Sequence, residues 1–395
     1  MDTSTPAAQK LAQLAQDIFA TYTDHPSSSF MCGNGALPLL YYKLFTLYEQ
    51  DSYRQQAETI LDSLLDEINA GLTSATYCDG LAGLASMLSY LVEHNILDEG
   101  AEDFLKQCDV ALHSAFLKAA GQANLDYLHG ALGMGFYFLH RHLATPAVAD
   151  TLVQVGEEVL RLLEPTLEPT PGQYINCGMA HGQVAGLMFL TGYLRVAPQP
   201  ERVRATIQAI VAQVLRYKTA DPASRAQFPS IVLLQEDTTK FETVYDIPNG
   251  WCYGDTMISL GLLAASEVLH DEALRAEALD IALRSTERDT PRKALIIDGA
   301  MCHGTAGLAH LYKKWHQATG HPQFRASYEY WIDQTLVMAN RPDGPGGFQK
   351  NMGDGTYTST YGLLDGVCGI GLVLADFVAD SPDEPSDWDR FFALS

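Results

Sequence analysis

Positive charge is scarce in this sequence. Lysine and arginine number 25 against 48 aspartates and glutamates, a formal net charge of −23. A nucleic-acid-binding face needs clustered Lys and Arg to replace the counterions of phosphates, so that class of partner is set aside. Long apolar runs are missing as well. No stretch approaches the roughly eighteen uninterrupted apolar residues of a membrane span. The opening Met1-Asp2-Thr3-Ser4-Thr5-Pro6 has no basic segment leading into an apolar one, so no signal peptide is expected. Cysteines are few and odd in number, seven between Cys32 and Cys368. Without an export signal they read as reduced thiols rather than disulfides. These absences together lead us to expect a cytoplasmic globular protein.

What is present is a repeat. A turn of small residues opening onto an apolar helix recurs seven times, at Cys32-Gly33-Asn34-Gly35, Cys78-Asp79-Gly80, His129-Gly130, Ala180-His181-Gly182, Cys252-Tyr253-Gly254, Cys302-His303-Gly304 and Asp365-Gly366. With Gly35 taken as the first key glycine, the unit is about fifty residues long, a period that signals a repeat architecture. The helix after each glycine is apolar nearly all round, as in Leu81-Ala82-Gly83-Leu84-Ala85, and is predicted to be buried on most sides. The helix between motifs is amphipathic, with Ile60, Leu61, Leu64 and Leu65 set against Glu58, Asp62 and Asp66. Such a helix covers a core with one face and meets water with the other.

Alternation of these two kinds predicts an all-α fold: an α/α toroid of seven helical hairpins, with inner and outer rings, forming a single domain over 1–395. An open solenoid would need polar caps, and both terminal motifs are apolar. Two connections are longer than the rest. Residues 217–249 carry β-prone runs expected to form a small β-hairpin insertion near 230–247. Residues 341–360 are rich in Gly and Pro and read as a loop.

In such a ring the starts of the inner helices converge. The residues before the key glycines, Asn34, Asp79, His129, His181, Tyr253, His303 and Asp365, are all polar although apolar helices follow. That contrast predicts a wet, functional rim. On it Cys252, Cys302 and His303 come from successive units. Two thiolates and an imidazole suit zinc, and three protein ligands leave a tetrahedral position open for substrate. The other five cysteines, Cys32 and Cys78 among them, read as structural. Asp255, directly after Gly254, reads as a cap of its own helix.

The motifs Trp251-Cys252-Tyr253-Gly254, Cys302-His303-Gly304 and Ala180-His181-Gly182 resemble those of the lanthionine synthetase C family, cyclases of lanthipeptide biosynthesis, and the similarity runs from about Ser29 to Phe377. The resemblance implies one Zn2+ per chain on Cys252, Cys302 and His303. It also implies addition of a peptide Cys thiol to dehydroalanine or dehydrobutyrine, closing a thioether ring. His181 matches a family histidine placed to protonate the resulting enolate, and Asp126 a family aspartate placed to orient His181 or to help remove the thiol proton. Trp251 and Tyr253 are expected to shape the cleft or touch substrate.

The implied partners are a dehydrated precursor peptide of leader plus core, a separate dehydratase and an exporter, in a bacterial cytoplasm. The sequence departs from the family at Pro248, where many cyclases carry arginine, and at Thr256-Met257, where Pro-Gly is usual. Alternatives are a relative adding glutathione or another thiol to dehydrated residues, a zinc–thiolate enzyme such as a protein prenyltransferase, and a non-catalytic peptide-binding scaffold.

Overall fold

A computed structural model describes residues 4–25, 27–71, 74–98, 100–235, 241–379 and 386–395. Seven helices form an inner ring: α2 (Leu37–Tyr48), α4 (Leu81–Glu93), α6 (Ala131–Ala144), α8 (Gln183–Tyr193), α10 (Asp255–Leu269), α13 (Thr305–Thr319) and α15 (Val367–Val378). Around them lie α1 (Pro6–Thr21), α3 (Asp51–Asn69), α5 (Gly100–Gly121), α7 (Ala149–Leu163), α9 (Pro200–Arg216), α11 (Glu272–Ser285) and α14 (Pro322–Met338), with a single turn, α12 (Pro291–Ala294), before the sixth unit. The expected α/α toroid is what the chain forms.

Composition explains the layering. In α4 nine of thirteen residues are buried, whereas α3 buries only Ala57, Ile60, Leu61 and Leu64 along one stripe. Closure joins the ends of the chain. The first outer helix, α1, packs on the last inner helix, α15. It starts on a Thr5 cap with Pro6 in its first turn, the residue pair that favours a clean helix start.

The register of the first unit differs from the sequence expectation. Gly33, not Gly35, has the extended backbone shared by the unit glycines other than Gly254, with φ −119° beside −138° at Gly80 and −110° at Gly304. Cys32, not Asn34, therefore stands immediately before the first key glycine. Asn34 is buried, and its side-chain amide donates to the carbonyls of Tyr22 and His25.

Four of the five strands among the described residues lie in the long connections. β2 (Ile231–Leu234) pairs antiparallel with β3 (Phe241–Thr243), as the hairpin expectation required, and its turn at 236–240 lies outside the described residues. A third strand, β1 (Tyr174–Asn176), adds to the other edge of β2, so the insertion is a three-stranded sheet rather than a hairpin alone. Within the second connection, β4 (Lys350–Asn351) and β5 (Tyr357–Thr358) form a short hairpin where a loop was expected.

The middle of the ring is filled by the C-terminal segment. Phe391 and Phe392 are buried, contributing about 2–3 kcal/mol each by removal from water. Phe391 packs on Phe30 and Tyr90 of the first and second units, and Phe392 on Trp251 of the fifth. Tyr127 Oη donates to the Phe391 carbonyl and Trp251 Nε1 to that of Phe392. The loops before the inner helices are thus backed by a packed plug and have one free side.

Candidate metal centre

Backbone hydrogen bonds lace neighbouring units together just before their glycines. Met31 N–H donates to Cys78 O, Cys78 N–H to Leu128 O, Met179 N–H to Cys252 O, Trp251 N–H to Cys302 O, Cys302 N–H to Leu364 O, and Leu364 N–H to Met31 O. The last of these closes the ring. Beneath this belt the residue three before each glycine is large and buried: Phe30, Tyr77, Tyr127, Met179, Trp251, Met301 and Leu363. The buried anchors fix the loops, and the residue immediately before each glycine reaches the rim.

Cys252, Cys302 and His303 meet there, their donor atoms all within 4.8 Å of one another. Two glycines make the meeting possible. A Cβ on Gly250 would stand 2.7 Å from both the Cys302 carbonyl oxygen and His303 Cα, so only glycine lets the two loops approach. Gly254 has φ 121°, a left-handed value unlike its counterparts, and rewinds the fifth loop so that Cys252 faces the sixth.

Cys252 Sγ lies 3.8 Å from His303 Nδ1. A tetrahedral zinc with Zn–S of about 2.3 Å and Zn–N of about 2.0–2.1 Å would hold sulfur and nitrogen about 3.6 Å apart. The donor set and its spacing fit such an ion. Electrostatics point the same way. Hydrogen bonding from Cys302 and His303 draws the Cys252 thiol below its usual range against the effect of burial, while Cys302, the donor, is held well above it. His303 is raised to about 9, chiefly by its contact with Cys252. The mutual contacts thus favour negative charge on Cys252 and positive charge on His303 while keeping the proton on Cys302. A cation that takes all three ligands must displace protons from Cys302 and His303.

On the fourth unit His181 Nδ1 lies 2.5 Å from Asp126 Oδ2. Asp126 Oδ1 accepts the backbone N–H groups of Leu128 and His129 at 2.8 Å each. The carboxylate is thus both the cap of the third loop and the partner of His181. That contact, with the charge of Cys252 adding to it, raises the His181 pKa, and His181 together with backbone donors lowers that of Asp126 despite burial. Tyr253, half-buried beside them, accepts a hydrogen bond from Asn176 Nδ2 at 3.0 Å. A cleft of about 580 Å³, lined by Leu125, Leu132, Leu163, Tyr174, Ile175 and others, opens directly onto His181.

Trp251 is a correction. It is 0% exposed, so the expected contact with substrate is not available to it. Its indole holds the fifth loop on the plug instead. Asp255 does not cap its own helix either. Buried, it accepts the backbone N–H groups of Gln227 and Phe228, tying the long connection to the start of α10. At Pro248 no guanidinium reaches the rim from that position. Arg288 lies beneath, donating to the Ile247 and Ala294 carbonyls.

Sequence reasoning missed Lys350, a cation beside the rim whose Nζ is 2.6 Å from Asp365 Oδ2 and whose charge acts on both Cys302 and Cys32. It also missed Asn176. Lys350 sits on β4 of the second long connection, and Asn176 on β1, six residues before Gly182. Nor did it foresee that the Cys32 and Cys78 sulfurs, read as separate structural thiols, would lie 3.5 Å apart.

Comparison with known proteins bears on the family and the fold of the chain. Residues 10–393 match the family model described as lanthionine synthetase C-like protein. By structure the chain is similar to nisin cyclase, with 17% identity, 96% of each chain covered and a TM-score of 0.78. A looser likeness, with 11% identity and a TM-score of 0.47 over 95% of this chain and 100% of the other, is to an inactive variant of the α-1,6-mannanase GH76A of Salegentibacter sp. HEL1_6. The first likeness is one of fold, and the second is too loose to carry anything further.

Proposed function

The chain belongs to the lanthionine synthetase C-like family, and on that premise we propose that residues 1–395 form one zinc-dependent peptide cyclase domain. It joins cysteine thiols of a dehydrated precursor peptide to dehydroalanine or dehydrobutyrine in the same peptide. The observation that carries the reading is the convergence of Cys252, Cys302 and His303 on the rim that also holds the His181–Asp126 pair.

In this reading zinc, held by Cys252, Cys302 and His303, supplies thiol activation, lowering the pKa of a substrate thiol so that it acts as thiolate at neutral pH. The chain's own residues do the rest. The substrate sulfur forms a bond to the β-carbon, the α,β double bond opens, and the electron pair resides on the enolate of the residue's carbonyl. With Nδ1–H donated to Asp126, His181 has Nε2 as the atom that exchanges a proton with substrate. Delivery of that proton to the α-carbon completes the thioether. The cleft beside His181 would accept the peptide's apolar side chains, and Asn176, part of its wall, is held by its hydrogen bond to the Tyr253 hydroxyl.

The test combines metal content with thiol alkylation and mass spectrometry on a dehydrated precursor. Gently purified protein is expected to carry about one zinc ion per chain. Cys302→Ala should lose both this ion and cyclisation. His181→Ala should keep the zinc and lose about 10²–10⁴ in rate. A metal-free protein that still cyclises, or a His181→Ala protein at full rate, would overturn the respective assignment.

A further inference from the structure

The corrected register of the first unit reveals a second cluster of metal-ligating side chains on the same rim. The first and second units dock as the fifth and sixth do. Met31 N–H, two before Gly33, donates to Cys78 O at 2.9 Å, and Cys252 N–H, two before Gly254, donates to Cys302 O at 3.3 Å. Cys78 is thus the counterpart of Cys302, and Asp79 that of His303. The thiol opposite them is supplied from a neighbouring position, by Cys32 immediately before Gly33 rather than by a residue one place earlier as in Cys252.

The geometry is that of a binding site. Donor atoms of Cys32, Cys78 and Asp79 all lie within 4.8 Å of one another, the same span as in the first cluster. The two sulfurs are 3.5 Å apart. That is far from the roughly 2.05 Å of a disulfide and close to the separation of about 3.8 Å for two thiolates on a tetrahedral zinc. The carboxylate is oriented from outside. Asp79 Oδ1 accepts a hydrogen bond from Ser29 Oγ at 2.8 Å, and Oδ2 lies 3.6 Å from His129 Nδ1. Outer partners of this kind orient ligands in metal sites. Cys78 is buried, while Cys32 and Asp79 are exposed, so an ion could enter from solvent and retain an open position.

We propose that Cys32, Cys78 and Asp79 form a second site for a thiophilic divalent cation of the zinc class. With a carboxylate in place of an imidazole and two exposed ligands, it fills at higher zinc concentration than the first site.

The experiment is a zinc titration of the full-length protein, reduced and stripped of metal, read by chelator competition and repeated with Co2+ for the sulfur-to-cobalt charge-transfer band. Wild type should saturate at about two equivalents and Cys32→Ser at about one. Cys32 is exposed, so its replacement does not threaten the core. Cys252→Ser should likewise retain about one equivalent, bound with the weaker constant. Wild-type saturation at a single equivalent, or Cys32→Ser still binding two, would overturn the proposal. An intact mass showing the Cys32–Cys78 disulfide formed and insensitive to zinc would overturn it too. The readout is stoichiometry, so the result is independent of which reaction the first site performs.

Discussion

The fifth and sixth units and the first and second are joined by the same backbone hydrogen bond, yet they present their thiols differently. The residue four before the glycine accounts for it. In the fifth unit this is Gly250, whose missing side chain lets the loop settle against Cys302 and His303. In the first unit it is Ser29, whose Oγ instead spans the junction to the Cys78 carbonyl, at 3.0 Å, and to Asp79. Close docking in one case turns Cys252 inward beside a buried cysteine. A hydrogen-bonded spacer in the other leaves Cys32 on the solvent side. The third unit uses the same position in a further way: there it is Asp126, which caps its own loop and reaches across to His181. One repeat position thus decides whether a junction is packed, bridged or paired with a rim histidine.

The most direct way to break this comparison is to give the fifth unit the residue of the first. Gly250→Ser places a Cβ 2.7 Å from the Cys302 carbonyl oxygen and His303 Cα, so the loops must part. Zinc affinity at the first cluster should fall by at least about 100-fold, and cyclisation by about 10³-fold, since losing an activating metal costs several kcal/mol. Zinc competition and the alkylation assay measure the two. Affinity within about twofold of wild type would show that close docking is not what turns Cys252 inward.

A smaller effect should follow from Asp126→Asn. The amide keeps the loop cap through its oxygen but removes the charge that raises the His181 pKa. An acid is competent only while protonated, so cyclisation is lost as pH rises through the histidine's pKa in the folded protein. Without the carboxylate that limb moves down toward the ordinary value of about 6.5. The rate at neutral pH should drop about 10–100-fold with zinc content unchanged. A rate–pH profile with an unmoved alkaline limb would remove Asp126 from this role.

Much of the ring was legible because its determinants are local. A glycine before an apolar helix, an amphipathic helix after it and a period near fifty residues are all properties of contiguous sequence. The first register slips because Cys32-Gly33-Asn34-Gly35 offers two glycines, of which the second is the wrong one. The signal that resolves the choice is present in the chain. A large side chain stands three residues before every other unit glycine, and only Phe30 before Gly33 continues the series, since Cys32 before Gly35 does not. With that error goes the pairing of Cys32 with Cys78. Lys350 and Asn176 were illegible for a different reason. Lys350 lies on a short local hairpin opposite Thr358 and Asn176 on a strand that pairs with Ile231, and the periodicity of the helical units encodes neither. Trp251 was misplaced because a motif shows which residues recur together but not which face they turn to solvent.

The smallest expected effect concerns the residue before the glycine, where the fifth unit carries Tyr253 and the first carries Cys32. Tyr253 meets the cleft through Asn176, one of its lining residues, whose Nδ2 donates to the phenol oxygen at 3.0 Å. Tyr253→Phe keeps the ring and removes the acceptor, leaving one half-buried amide hydrogen to find water. Catalytic efficiency should fall roughly fivefold, the equivalent of about 1 kcal/mol. The loss should appear in substrate binding more than in turnover, because the contact positions a wall and moves no proton. Zinc affinity should be unchanged, since Tyr253 offers no ligand to the cluster. If turnover instead dropped by about two orders of magnitude, the phenol would belong among the groups that handle the proton. The division of labour between the fifth loop and His181 would then have to be redrawn.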